Sequence, residues 1–429
     1  MGKRTVWFGV MGIAGLSCWI VSALGTGQLF LSAAAQENAK IADRRLVVLD
    51  REPVRIIEDP YPTFSGIALD TQRDEVFITN DGEASKSSLL VYGTQFPPTD
   101  KVMEPHRRVI SPASRGVWGS MQLPCGVAIS PEFQEMYTVT GDGQDVNIYP
   151  LQANGDAAPS RRLDVPNFSG GIFLDNKNDE LFITSELANK ISVYRRTARG
   201  EDDPLRYIQG PRTGLADPQR IYVDAEKNEI VVTNLGHWRK TEPGEGYALW
   251  GDGKLAWARG SFTHPGIVDP LTPSTGKFLP PSITVYRRDA QRDVAPLRTI
   301  QGPHTRLNSA VGIYGDPVSG QFVVANTGAN SVLFFDRNAN GDVAPVRVLE
   351  GPATHLKGPT GIAIDAKRNE LWVTSWENHM TLIFSRTAEG NAAPLRYIRS
   401  APKDAPLATV GRLGGVGFDP KRKEILAPN

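Results

Sequence analysis

Aspartate recurs after a short apolar run at Asp70, Asp175, Asp224, Asp316, Asp365 and Asp419, with Ser130 in one further copy. A ring of carboxylates could hold a cation. The plainer use is local: each side chain accepts backbone hydrogens in its own turn, which explains every copy separately and is the reading favoured here. Arginine recurs as well, at Arg55, Arg206, Arg298, Arg347 and Arg396. In register these residues would form a solvated, partly paired face or a stripe for a polyanion, and a formal net charge of +0 speaks against the stripe. His304 and His355 each stand alone in the pattern and read as surface or packing residues. Cys18 and Cys125 are the only cysteines, and neither a CxxCH stretch nor a Cys/His zinc spacing occurs. No cofactor motif and no metal site are therefore expected.

The elements that carry these residues repeat. "GIALD" (66–70) is followed by "GVAIS", "GIFLD", "RIYVD", "GIYGD", "GIAID" and "GVGFD", seven copies in all. A second element follows each after a polar turn: "EVFITN", "EMYTVT", "ELFITS", "EIVVTN", "QFVVAN", "ELWVTS" and "EILAPN". β-Branched and aromatic residues fill both, with Asp, Asn, Gly and Pro between them, as antiparallel hairpins require. Third elements such as "ISVYRR" and fourth elements such as "PLRYI" complete a unit of four strands. A period of roughly 45–50 residues matches propeller blades. Asn80, Ser185, Asn234, Asn326 and Ser375 close the second strand and read as turn residues, and Trp372 reads as core.

"GIAID…NELWVTS" resembles the NHL-type and YVTN-type β-propeller repeats of exported bacterial proteins, over nearly all of 45–429. The expected fold is all-β: a seven-bladed β-propeller of four-stranded antiparallel blades. Its last blade would be shared, "RLVVLDREPVRIIEDP" (45–60) supplying the outer strands and "GVGFDPKRKEILAPN" the inner ones. Closing a ring through both termini leaves no open repeat to fray. Such a resemblance is specific for fold and weak for function.

Blade four breaks the repeat twice. Arg220 stands where every other copy has Gly, and the link between its second and third strands is an insertion at 235–281. The insertion holds His237, Trp238, Trp250 and Trp257, among many Gly and Pro. Loops of this length in a compact domain are functional or disordered, and disorder favours few aromatics. The first strand of a propeller of this type lines the channel, so Arg220 and the insertion should meet at one mouth. Arg220, Asn234, His237, Trp238, Trp250 and Trp257 are the candidate ligand- or partner-binding residues; no catalytic residue is nominated. The bland alternative is a loop that covers the rim with its own apolar cluster, Arg220 pairing only with an acid such as Glu242 or Glu245.

The N-terminus stands apart from the repeat. Two positive charges in Met1–Arg4 precede an uncharged stretch at 6–25 and then "LSAAAQEN". This describes an export signal cleaved after Ala35, or an uncleaved membrane anchor. Residues 1–35 are read as signal or anchor, 36–44 as linker and 45–429 as propeller, outside the cytoplasm in either case: periplasmic, secreted or held at a membrane. No nucleic-acid partner is expected from a neutral chain.

Three functions are weighed. The first is a non-catalytic binding scaffold for a protein, glycan or small molecule at the blade-four rim. The second is a lactone hydrolase or lyase. Gluconolactonase-type propellers imply a channel cation on Glu, Asn and Asp, but here the corresponding positions are Ser65, Cys125, Gly170, Gln219, Arg220, Val311, Thr360 and Gly414, with no carboxylate. A lyase of the streptogramin type implies a His base, for which His237 is the one nominee. The third is a structural component of an envelope or extracellular assembly.

Overall fold

The computed structural model describes residues 61–80, 87–110, 124–141, 144–166, 168–186, 188–236, 279–405, 417–419 and 424–426. The chain divides into two compact units, Met1–Glu58 and Asp59–Asn429, and the described residues all belong to the second. The expected leader, linker and N-terminal half-blade lie outside them, as does the body of the insertion. Among the described residues no helix is long and apolar enough to cross a membrane.

Six four-stranded antiparallel blades follow one another. Blade one is Phe64–Asp70, Glu75–Asn80, Ser88–Gly93 and Arg107–Ile110. Blade two is Pro124–Ser130, Glu135–Thr140, Asp145–Pro150 and Arg161–Asp164. Blade three is Ser169–Asp175, Glu180–Ser185, Lys190–Arg195 and Arg206–Ile208. Blade four is Pro218–Asp224, Glu229–Asn234, Ser282–Arg287 and Arg298–Ile300. Blade five is Ala310–Gly315, Phe322–Asn326, Ser331–Phe335 and Arg347–Leu349; blade six is Pro359–Asp365, Glu370–Ser375, Met380–Ser385 and Arg396–Arg399.

The recurrent aspartates make the hairpins. Asp70 Oδ1 accepts from the N–H groups of Gln72 and Arg73, and Asp224 Oδ1 from those of Glu226 and Lys227. Asp175, Asp316 and Asp365 do the same in their own turns, and Ser130 Oγ substitutes for them in blade two. The turns end on a left-handed residue, such as Asp74, Asp179, Asn228 or Asn369 (φ 57–58°), which Asp and Asn tolerate well.

Each seam between neighbouring blades has its own apolar cluster. Phe77, Val91 and Tyr149 join blades one and two; Tyr137, Ile148 and Ile183 join two and three. Ile191, Val223 and Val232 join three and four; Val231, Ile283 and Phe335 join four and five; Phe334, Val373 and Phe384 join five and six. The sixth seam joins blade six back to blade one, with Phe64, Ile78 and Tyr92 packed on fully buried Trp372 and Ile383. Thr374 Oγ1 donates across it to Ser65 O (2.8 Å), and Met103 N–H to Arg399 O (2.9 Å).

Among the described residues the ring therefore has six blades, not the seven expected from counting motifs, and these close between blades one and six rather than through a shared terminal blade. Gly417–Asp419 and Glu424–Leu426, the last copy of the repeat, pair only with each other among the described strands. Motif copies record hairpins, whereas ring size is set by where apolar faces meet; Trp372 against Phe64 leaves no seam for another blade.

Edge strands are also dealt with seam by seam. In blades two to six the turn before the fourth strand makes a parallel bridge to the outer strand of the preceding blade: Val109 with Gly155, Leu163 with Gly200, Ile208 with Arg292, Ile300 with Gly341 and Leu349 with Gly390. Unpaired outer-strand groups are thereby covered, which blunts edge-to-edge association.

Candidate functional site

The inner strands of five blades pack closely on their neighbours because each carries a glycine as its third residue. A β-carbon added at Gly66 would lie 2.8 Å from the Cys125 carbonyl oxygen of the next blade. Blade four carries Arg220 in that register, and its side chain turns across the channel. Nη1 donates to Gly170 O of blade three (2.6 Å). Nη2 donates to Cys125 O of blade two (2.6 Å) and to Ser65 Oγ of blade one (3.2 Å), the blade directly opposite. The Arg220 N–H donates to Thr233 Oγ1 (3.2 Å), which in turn donates to Val311 O of blade five (2.5 Å). This one locus therefore joins five of the six blades at the channel's mouth.

Charge and shape at this mouth follow. The guanidinium sits among carbonyl dipoles, with Glu186 bordering the same Gly170 backbone as Nη1. A metal cation in this place would meet a fixed positive charge, and the carbonyl oxygens nearest it are already accepting charge-assisted hydrogen bonds. Further along the inner strands, Phe173, Tyr222 and Tyr314 of three successive blades form an aromatic arc, with ring centroids 5.6 and 5.3 Å apart. The matching residues of the other blades are Ala68, Ala128 and Ala363, so three seams carry an aromatic at this position and the other three an alanine. Burial raises the Tyr222 and Tyr314 hydroxyls above their ordinary value, so both remain neutral donors.

Asn234 is fully buried and its amide is engaged within the blade: Oδ1 accepts from Ala216 N–H (3.1 Å) and Nδ2 donates to Thr284 Oγ1 (3.1 Å). Asn80 and Asn326 make equivalent contacts in their blades. His237, Trp238, Trp250 and Trp257 lie outside the described residues. The stems of the insertion are visible and touch. A β-carbon on Gly236 (φ +84°) would come within 2.7 Å of the Pro280 carbonyl carbon, and Gln301 Nε2 donates to Pro280 O (3.0 Å). The insertion thus leaves and re-enters blade four at one point, on the mouth where Arg220 stands.

The sequence reading missed two linked devices. A threonine near the end of the second strand accepts from its own inner strand and donates to the next blade's carbonyl, as Thr233 does to Val311 O and Thr374 to Ser65 O; Val139 and Ala325 break this series. The fourth-strand arginines form no loose solvated face. In five of the six described blades the arginine clamps the acid that opens the second strand: Arg107 with Glu75, Arg161 with Glu135, Arg206 with Glu180, Arg298 with Glu229 and Arg396 with Glu370; in blade five Arg347 meets Gln321 instead. Each also donates to a carbonyl of the following blade, ending with Arg396 on Thr94 O (3.0 Å), which closes the circle.

No family model and no curated protein sequence matches this chain. Solved structures similar to it include the hydrazine synthase of Kuenenia stuttgartiensis, with 12% identity over 79% of this chain and 83% of that one and a TM-score of 0.48. A protein of unknown function from Desulfotomaculum acetoxidans shows 15% identity, 83% and 90% coverage and a TM-score of 0.47. A putative 6-phosphogluconolactonase from Bacteroides uniformis shows 12% identity, 74% and 80% coverage and a TM-score of 0.43. Strand pairing and the six closed seams define this chain by themselves as a β-propeller.

Proposed function

We propose that this protein is an exported, non-catalytic β-propeller that binds a protein, glycan or small-molecule ligand at the rim of blade four. The observation that carries the reading is Arg220. Its side chain joins blades one to three across the channel mouth and occupies with positive charge the place that a central metal cation would need. The stems of the insertion touch each other at Gly236 and Pro280, so the segment between them can vary without disturbing the blade. Among the described residues no cluster of His, Cys, Asp or Glu is arranged to hold a metal ion.

The test compares the full chain with a variant in which 237–278 is replaced by a short Gly-Ser linker. Both would be immobilised and exposed to an envelope extract and to a glycan array. The expected outcome is a partner or glycan retained by the full chain and lost by the shortened one, with both equally folded by circular dichroism. Turnover of lactones by the full chain, abolished by a chelator, would replace this reading with the hydrolase. Equal retention by both proteins would remove the rim from it.

A further inference from the structure

A second site lies away from blade four. A cleft of about 1030 Å³ opens at the seam of blades five and six. Its walls are the loop Glu350–Lys357, the loop carrying Asn378, and the outer end of blade six at Tyr397–Arg399, with Asp100 and Lys403 at its edge. Its charges are unevenly satisfied. Both carboxylates have partners: Glu350 pairs with Arg306 (2.6 Å), and Asp100 accepts from the Tyr397 hydroxyl. The cations do not. Lys357, Arg399 and Lys403 form no ion pair among the described residues. Arg399 lies over the Tyr397 ring (5.4 Å to the centroid), and its Nη2 makes a weak contact to Met380 Sδ (3.5 Å). Its Nε is shielded from solvent and has no acceptor.

A shielded Nε without an acceptor also occurs at Arg161 and Arg298, but those outer-strand arginines are clamped by Glu135 and Glu229, whereas Arg399 has no carboxylate partner among the described residues. Guanidinium and ammonium donors converging on one cleft are the groups that recognise carboxylate or phosphate. Aromatic and apolar walls from Tyr397, Leu356 and Met380 leave room for a carbon skeleton beside the charge. Asp100 is the internal competitor. The Tyr397 hydroxyl, followed by Lys403, Arg399 and His355, holds its carboxyl below the ordinary value, so it stays charged and faces the same cations.

The geometry points to a binding site for a small organic oxyanion, a carboxylate or a phosphate ester, held by Arg399, Lys357 and Lys403 at the seam of blades five and six. The site is independent of the blade-four rim. The probes are inorganic phosphate and citrate, each titrated calorimetrically into the full chain at low ionic strength, where screening is least. Saturable binding of at least one is expected, with a Kd below about 1 mM. Arg399→Gln and Lys357→Ala should each weaken it about tenfold, and Asp100→Asn, which keeps the hydroxyl contact and removes the competing charge, should tighten it about threefold. Lys357 is exposed, so its variant stays informative if Arg399→Gln fails to fold. Phosphate alone binding assigns the site to phosphate esters, citrate alone to carboxylates, and both to oxyanions in general. Binding must persist when 237–278 is removed, whatever becomes of the rim. No saturable heat with either probe, or affinities unchanged in Lys357→Ala, would overturn the assignment.

Discussion

Arg220 is the residue at which the repeat yields to something else, and its energetics can be separated by two substitutions. Arg220→Met keeps the bulk and removes every side-chain donor, leaving Gly170 O and Cys125 O facing an apolar chain. Unmade hydrogen bonds to a charged group cost about 1.5–3 kcal/mol each, so a loss of about 3 kcal/mol is expected in urea unfolding. Arg220→Gly restores the residue of the other blades and lets channel water reach the same carbonyls, so its loss should be smaller, about 1 kcal/mol. If the two variants unfold alike, the guanidinium's contacts are not what stabilises the mouth. The importance of position 220 was legible in the sequence, since a lone Arg in a column of glycines stands out. What it touches was not, because two carbonyls and a hydroxyl, 50, 95 and 155 residues away, become neighbours only when the ring closes.

At the scale of the element, the recurring unit is a clamp between strands and between blades. Glu229 receives Arg298 of its own blade (2.8 Å) and Arg337 of the next (2.9 Å). Burial alone would raise this carboxyl, but the two guanidiniums outweigh burial and hold it below 4.5; Glu135 behaves likewise with Arg161 and Arg196. A lowered folded-state value means that the contribution is complete above the ordinary carboxyl value of 4.5 and is lost as pH falls through the lower one. Thermal melts should therefore be flat near neutrality and fall below about pH 4.5, and Glu229→Gln should flatten part of that fall while costing about 2 kcal/mol at pH 7, between exposed and buried pairs. Blade five lacks the acid. Gln321 meets Arg347 at 3.4 Å, and burial pushes that guanidinium below its usual value. Gln321→Glu should complete the series and raise stability by about 1 kcal/mol, read as a higher urea midpoint at unchanged slope.

These clamps were written in the sequence as a spacing: Glu135 to Arg161, Glu180 to Arg206 and Glu370 to Arg396 are each 26 residues apart, as are Gln321 and Arg347. Hairpin periodicity names the strands, but a pairing between the second and fourth strands of a blade shows only when two columns of the repeat are compared. The insertion presents the opposite case. Its length marked it as a site, and the touching stems at Gly236 and Pro280 now predict that replacing 237–278 with a short linker shifts the melting temperature by no more than about 3 °C. A collapse of the cooperative transition would mean that the segment is part of the core.

For the whole molecule, the question is what completes the circle. Seven copies of the inner hairpin argued for a seventh blade, yet every one of six seams is filled by its own cluster, and the last is the contact of blade six with blade one. The copy at 417–426 consequently contributes no strand to the closed sheet system among the described residues. A fragment spanning 59–405 keeps all six apolar seams, Thr374 on Ser65, Met103 on Arg399 and Arg396 on Thr94. It should fold to a monomer with a single cooperative transition. Arg396→Ala in the same fragment isolates the closing seam: it leaves Glu370 without its guanidinium and frees Thr94 O, at a cost of about 2–4 kcal/mol. Arg107→Ala, which breaks the matching single-arginine clamp on Glu75 and Leu151 O at an ordinary seam, should cost a similar amount. A ring that truly has six equal joints makes those losses match. If the fragment does not fold, or if Arg396→Ala alone is silent, residues beyond 405 or before 59 complete the circle and the closing seam is not where the apolar contacts place it.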